Sequence, residues 1–126
     1  MKRQFFIAGV KFRPATEIQA AAKELKVGDA LKLYPEPTNK FDPNAVKIYS
    51  IPAPPSDEAY FLGYVPKKFS SEVSGLLGIG APVNCIVDEV NPSAKTYEMF
   101  KVTISLPIDE EENGEENESE EGGFEE

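Results

Sequence analysis

The residues best suited to chemistry lie in the run "EPTNKFDPNAVKIY", residues 36 to 49 of a 126-residue chain. Two prolines, two asparagines, Asp42 and Phe41 crowd together there before the sequence changes to alternating apolar and polar residues. Two readings are open. Asp42-Pro43-Asn44 makes a good turn, because an aspartate side chain bonds to nearby backbone amides and proline presets φ. The alternative is a loop built to hold a ligand. Phenylalanines are more often buried than exposed, which is the plain reading of both Phe12 and Phe41; Phe41, flanked by a lysine and an aspartate, is the better candidate for exposure.

Elsewhere reactive groups are scarce. There is no histidine and Cys85 is the only cysteine, so disulfides, thiolate zinc sites and imidazole catalysis are excluded by composition. No GxxxxGK[ST] phosphate loop occurs, which gives no basis for ATPase activity. Asp88 and Glu89 are adjacent carboxylates, but neighbours on a strand point to opposite faces and do not easily share an acid–base site. A metal-dependent nuclease would have to use Asp42, Asp88 or Glu89, and carboxylates rarely recur at ligand-like positions in this chain. The first reading is therefore a binding module with no metal or cofactor, not an enzyme, with a metal-dependent nuclease as the minor alternative.

The net charge of −9 is unevenly distributed. Residues 109–126, "DEEENGEENESEEGGFEE", hold 11 of the 22 acidic residues and none of the 13 basic ones, so residues 1–108 carry 13 basic against 11 acidic groups, a net +2. A like-charged segment with so few apolar groups cannot offset the entropy of ordering, and a disordered tail is expected. It either solubilises the chain or mimics phosphates and competes for its cations; Phe124 near the terminus resembles, in composition only, partner-recruiting tails of single-strand-binding proteins. The expected organisation is one domain over 1–108 and a tail over 109–126. No stretch approaches the roughly 18 apolar residues of a membrane span, and the apolar run before Lys11 is too short for a signal peptide. A soluble, cytoplasmic protein is expected.

The elements that must position the candidate residues follow from periodicity. "QFFIAGV" reads as a buried strand ending at a glycine-assisted turn. In "PATEIQAAAKELKVGD", Thr16 is a candidate cap, Ile18, Ala21, Ala22 and Leu25 share a helical face, and Gly28 is a stop signal. "ALKLY" and "AVKIYS" have the two-residue period of half-buried strands, so the 36–49 run begins as their connection. "AYFLGYV" reads as a strand, and Pro66 opens a second helix with Phe69, Val73, Leu76 and Leu77 on one face and Gly78 and Gly80 at its end. "PVNCIVDEV" and "YEMFKVTISL" supply two more strands, and "IPAPPSDE" reads as an inserted loop. Six strands and two short helices with short links favour a mainly β fold, a small, partly closed six-stranded antiparallel barrel of OB-like type.

The succession "IAGVKF", "KVGDALKLYPEPTNKFDPNAVKIY" and "FLGYVPKKFSSEVSGLL" resembles the HIRAN domain family, a module of fork-remodelling ATPases and of stand-alone bacterial and phage proteins. The resemblance covers roughly residues 5–106 and is most specific at "EPTNKFDPNAVKIY" and "LGYVPK". It implies a six-stranded barrel that binds single-stranded DNA and, as in its best-understood eukaryotic member, captures the 3′-hydroxyl end, with a role in DNA repair or replication-fork processing and possible DNA-processing partners. Such chemistry needs cations for phosphates, aromatic faces for bases and an acceptor for the hydroxyl, best an ionised carboxylate that also repels a terminal phosphate. Carried over by position, the resemblance implies Lys11, Phe12, Arg13, Asn39, Phe41, Asp42, Tyr64 and Lys67, with Tyr97 from the last strand. Two departures stand out: Phe12-Arg13 replaces a pair of tyrosines, and Tyr64 replaces a histidine. Arg13 is expected to retain stacking through its planar guanidinium. Lys67 and Lys68 also have a plain reading as the solvated first turn of a helix, although the helix dipole disfavours cations there. A protein-interaction domain acting through the barrel surface or the tail is the other class of function.

Overall fold

Alternation along each strand decides which side chains enter the core. In β3 (Val46–Ser50) Val46, Ile48 and Ser50 are buried while Lys47 and Tyr49 are not. The same period in β6 (Phe100–Ser105) buries Phe100, Val102 and Ile104. The computed structural model describes residues 1–52 and 58–107. Around these strands it places β1 (Lys2–Phe6), α1 (Ala15–Glu24), β2 (Ala30–Pro35), β4 (Phe61–Tyr64), α2 (Lys67–Gly78) and β5 (Asn84–Val90). The fold is mainly β: six antiparallel strands in one curled sheet of order β1-β6-β5-β2-β3-β4, with two helices. The expected tail, residues 109–126, and most of the "IPAPPSDE" loop lie outside the described residues.

One bridge joins the two ends of the sheet. Just after β1, the Ala8 amide donates to the Tyr64 carbonyl at 2.9 Å and the Tyr64 amide donates back to Ala8 at 2.8 Å, giving a partly closed barrel. Gly63, at φ 153°, makes that approach possible, because a Cβ there would collide with the Ala8 carbonyl oxygen and with Ile7. Inside the curl, Ile7, Ile48, Leu62, Phe100 and Ile104 are among the largest fully buried side chains. Each such side chain stabilises the fold by about 1.5 to 3 kcal/mol relative to exposure. Helix α1 adds Ile18, Ala21 and Ala22 to this core, and α2 adds Val73 and stacks Phe69 on Phe5 of β1 at 5.6 Å. A two-pronged Arg3–Glu72 ion pair, both bonds 3.0 Å, also ties α2 to β1.

Several boundaries differ from those the sequence suggests. β1 lies earlier than "QFFIAGV" because its register with β6 begins at Lys2↔Ser105, and Val10 enters a short 3-10 helix, Val10–Phe12, instead. Helix α1 begins one residue before Thr16, and no side-chain cap bond forms. Pro14, with φ −57°, starts the turn in its place. Gly28 does not end α1, which stops at Glu24; at φ 96° it serves the turn into β2. Tyr97 lies in a second 3-10 helix, Thr96–Glu98, and not on the last strand, because pairing with β5 begins only at Phe100.

Candidate functional site

The β2–β3 connection is a turn and a wall at once. Its backbone is closed by hydrogen bonds from the Glu36 amide to the Ala45 carbonyl at 2.8 Å and from the Ala45 amide to the Asp42 carbonyl at 2.9 Å. Side chains fix the remainder. Asn39 Oδ1 accepts from the amides of Phe41 and Asp42 at 2.9 and 3.0 Å, and its Nδ2 donates to Glu36 Oε1 at 2.8 Å. Asp42 Oδ1 accepts from the Asn44 amide at 2.9 Å, the turn bond that its sequence suggests. The ring of Phe41 stands 90 % exposed on a loop whose backbone is tied on both sides.

That ring borders a groove of about 310 Å³. Phe12, 78 % exposed on the 3-10 helix after β1, and Tyr64 from β4 supply its other aromatic surfaces. Asn39, Asp42 and Lys67 supply its polar groups, and Ala8, Gly9, Ala45 and Val65 complete the lining. Gly9 adopts φ 74°, a left-handed conformation that turns the chain from β1 into the 3-10 helix carrying Phe12. The Ala8–Tyr64 bridge thus joins the two segments that carry Phe12 and Tyr64 at the groove.

Asp42 is the electrostatic centre. Ser70, buried on α2, lies with Oγ 2.7 Å from Asp42 Oδ2 and 3.0 Å from the Lys67 carbonyl oxygen; the ionised carboxylate is the stronger acceptor for its single proton. The Ser70 hydroxyl, then the Asn44 amide, then the Lys67 charge hold the Asp42 carboxyl below its ordinary value. Each carboxylate oxygen has a second lone pair, so an incoming hydroxyl still finds an acceptor. Glu36 anchors the neighbouring wall. It accepts from Asn39 and from the Tyr64 hydroxyl at 2.7 Å and pairs with Lys47 at 3.7 Å. The bonds from Asn39 and Tyr64 lower its carboxyl against the opposing effect of burial, with Lys47 adding to them. Burial, then Glu36, raises the Tyr64 phenol. Tyr64 therefore offers its ring to the groove while its hydroxyl is engaged.

Six of the nine sequence-derived candidates line the groove: Phe12, Asn39, Phe41, Asp42, Tyr64 and Lys67. Lys11, Arg13 and Tyr97 do not. Arg13 does stack through its guanidinium, but on Phe61 of its own chain at 4.1 Å; it also donates to the Phe61 carbonyl at 3.1 Å and pairs with Glu17 at 3.6 Å. Lys11 lies over the Phe12 ring at 5.1 Å, and Tyr97 is exposed on the 3-10 helix that packs beside the one carrying Lys11. Asp88 is the extra residue of a bulge in β5 and accepts from Gln4 and Thr103. Among the described residues, no three acidic or cysteine side chains converge as metal ligands. Sequence reasoning missed Ser70 and Glu36. Nothing local marks a serine inside a helix as a carboxylate's partner, whereas Glu36, as first residue of the turn run, was open to suspicion.

Comparison by sequence with curated proteins gives no match. Two solved structures share the fold. The HIRAN domain of human HLTF superposes with a TM-score of 0.61 at 11 % identity, over 83 % of this chain and 74 % of that one. A protein from Lactobacillus plantarum gives a TM-score of 0.66 at 19 % identity, over 82 % and 95 %. The HIRAN domain family model matches residues 2–106, nearly everything the structure describes. With the strand order, the two helices and the groove on the "EPTNKFDPNAVKIY" loop in view, the chain belongs to the HIRAN domain family.

Proposed function

We propose that this chain is a nucleic-acid-binding module that captures the 3′-hydroxyl end of a single DNA strand in the Asp42 groove, in DNA repair or replication-fork processing. Family membership supports the coarser part, nucleic-acid binding. The observation that carries the finer part is the setting of Asp42: an ionised carboxylate held by Ser70 and Asn44, in a groove that Lys67 and the exposed rings of Phe12 and Phe41 also line. The carboxylate accepts from a terminal hydroxyl and repels a terminal phosphate. Lys67 attracts the phosphate one step in from the end, and the two phenylalanines take the last bases by stacking, which is tolerant of sequence. Binding, and not catalysis, is the activity assigned, with single-stranded DNA as the primary partner and DNA-processing proteins as secondary ones. An amide-resolved NMR titration with a short DNA strand tests the placement. The 3′-hydroxyl form is expected to shift the Gly9, Phe41, Asp42, Asn44 and Lys67 signals; shifts confined to residues outside the groove would remove the assignment.

A further inference from the structure

Aromatic and basic side chains alternate across the outer face of β2, β3 and β4. Register sets Lys32 opposite Tyr49 and Tyr49 opposite Phe61 in one row, then Tyr34 opposite Lys47 and Lys47 opposite Tyr64 in the next. The rings touch one another. Tyr49 stacks on Phe61 at 5.0 Å and 12°, Tyr34 meets Tyr49 edge-on at 5.4 Å, and Lys47 Nζ lies 5.7 Å from both the Tyr49 and Phe61 rings. Water-facing sheet positions are ordinarily polar; Arg13 already stacks on Phe61 at 4.1 Å, which leaves the Tyr34 end of the stack open to an occupant. A groove of about 580 Å³ opens on this face, larger than the 310 Å³ groove at Asp42, with Lys32, Tyr34, Lys47 and Tyr49 in its lining. Tyr34 is 44 % exposed, and Lys32 forms no ion pair with any described residue. On this face Glu36 pairs with Lys47. Tyr64 belongs to both surfaces: its ring lines the Asp42 groove and it ends the second row.

We infer that this face is a track for the nucleotides preceding the captured end, so that a single strand leaves the Asp42 groove over Tyr64 and Lys47 toward Tyr34 and Lys32. Alternating cations and rings suit the alternating phosphates and bases of a strand. Neighbouring strands lie about 4.8 Å apart, so crossing from β4 to β2 covers roughly 10 Å, room for about one or two nucleotides of an extended single strand. The direction of the track rests on the end-capture reading, whereas its affinity for a strand does not.

The test uses the full chain and labelled DNA strands of three and nine nucleotides, each as 3′-hydroxyl and 3′-phosphate. Wild type is expected to bind the nine-mer at least about tenfold more tightly than the three-mer. A Lys32→Glu, Tyr34→Ala variant is expected to lose most of that gain while keeping its preference for the hydroxyl end. Lys32→Glu alone, a change at an exposed side chain that leaves the core untouched, is expected to lower the salt slope for the nine-mer by about one. If the variants weaken the nine-mer in both end forms while wild type shows no end preference, the track stands and end capture falls. If they bind the nine-mer as wild type does, the strand takes another path and the track is overturned, leaving the face to a protein partner.

Discussion

At the scale of single residues, the account turns on a few side chains with separable roles. Phe41 is so exposed that Phe41→Ala is expected to leave the unfolding temperature unchanged and to weaken single-strand binding by roughly 1 to 3 kcal/mol, one lost stacking platform. Ser70→Ala is expected to have the complementary signature: the carboxylate remains, but its hydroxyl partner is gone, so the hydroxyl-over-phosphate preference narrows more than overall affinity falls. Parallel anisotropy titrations and melting curves separate the two. Binding is also expected to be flat between pH 5 and 8. There is no histidine, Asp42 and Glu36 are held below their ordinary values, and burial, then the Asp88 charge, pushes the Cys85 thiol up to about 12. A carboxylate with a depressed folded-state value contributes stability that is fully present above its unfolded value, near 4, and lost as pH falls through the folded value below that. End preference and stability should therefore decline together only under acid. A midpoint near neutrality in a pH titration of binding would contradict this. The turn chemistry of Asp42-Pro43-Asn44 was legible because its bonds are local. The Ser70 contact was not, because it spans 28 residues and depends on how α2 docks.

Among elements, the contact between the end of β1 and β4 is the sensitive point. Gly63→Ala would force a Cβ into the Ala8 carbonyl and is expected to cost about 3 kcal/mol or more, opening the barrel where Phe12 and Tyr64 meet the groove. Gly28→Ala is the control. Its Cβ would meet nothing within 4 Å, so only the left-handed backbone is penalised, by roughly 1 to 2 kcal/mol, without effect on DNA binding. Thermal or denaturant unfolding of both variants, with binding measured on the folded fraction, decides the point; equal costs would mean that the bridge contributes nothing. The six strands and two helices were legible from periods of 2 and 3.6, which are local. The ends of β1 and β6 were not, because they follow register with a strand far away in sequence, as Lys2↔Ser105 shows. Residue type alone also allowed Phe12 a place in the core; it is exposed because Gly9 redirects the chain into a 3-10 helix before the ring.

For the whole molecule, charge is the organising quantity. Removing residues 109–126 takes away 11 acidic groups and changes the net charge from −9 to +2. If those carboxylates compete with phosphates for the cations, one of the two readings of their composition, truncation tightens DNA binding at low salt and the gain shrinks as ionic strength rises. Unchanged low-salt affinity after truncation would rule out competition by the tail. The uneven charge, a net +2 over residues 1–108 against 11 acidic groups over 109–126, is legible from composition alone. Which cations face one groove is not, since Lys11, Arg13, Lys47 and Lys67 carry the same charge and only folding sends Lys67 to the groove and Arg13 onto Phe61.

The most direct test of the central claim is a fluorescence-anisotropy titration at low salt of one short DNA strand carrying either a 3′-hydroxyl or a 3′-phosphate, against wild type and Asp42→Asn. The account predicts that wild type prefers the hydroxyl end by at least about tenfold and that the variant binds both ends alike. Equal affinity of wild type for the two ends, or a preference that survives the substitution, would contradict it.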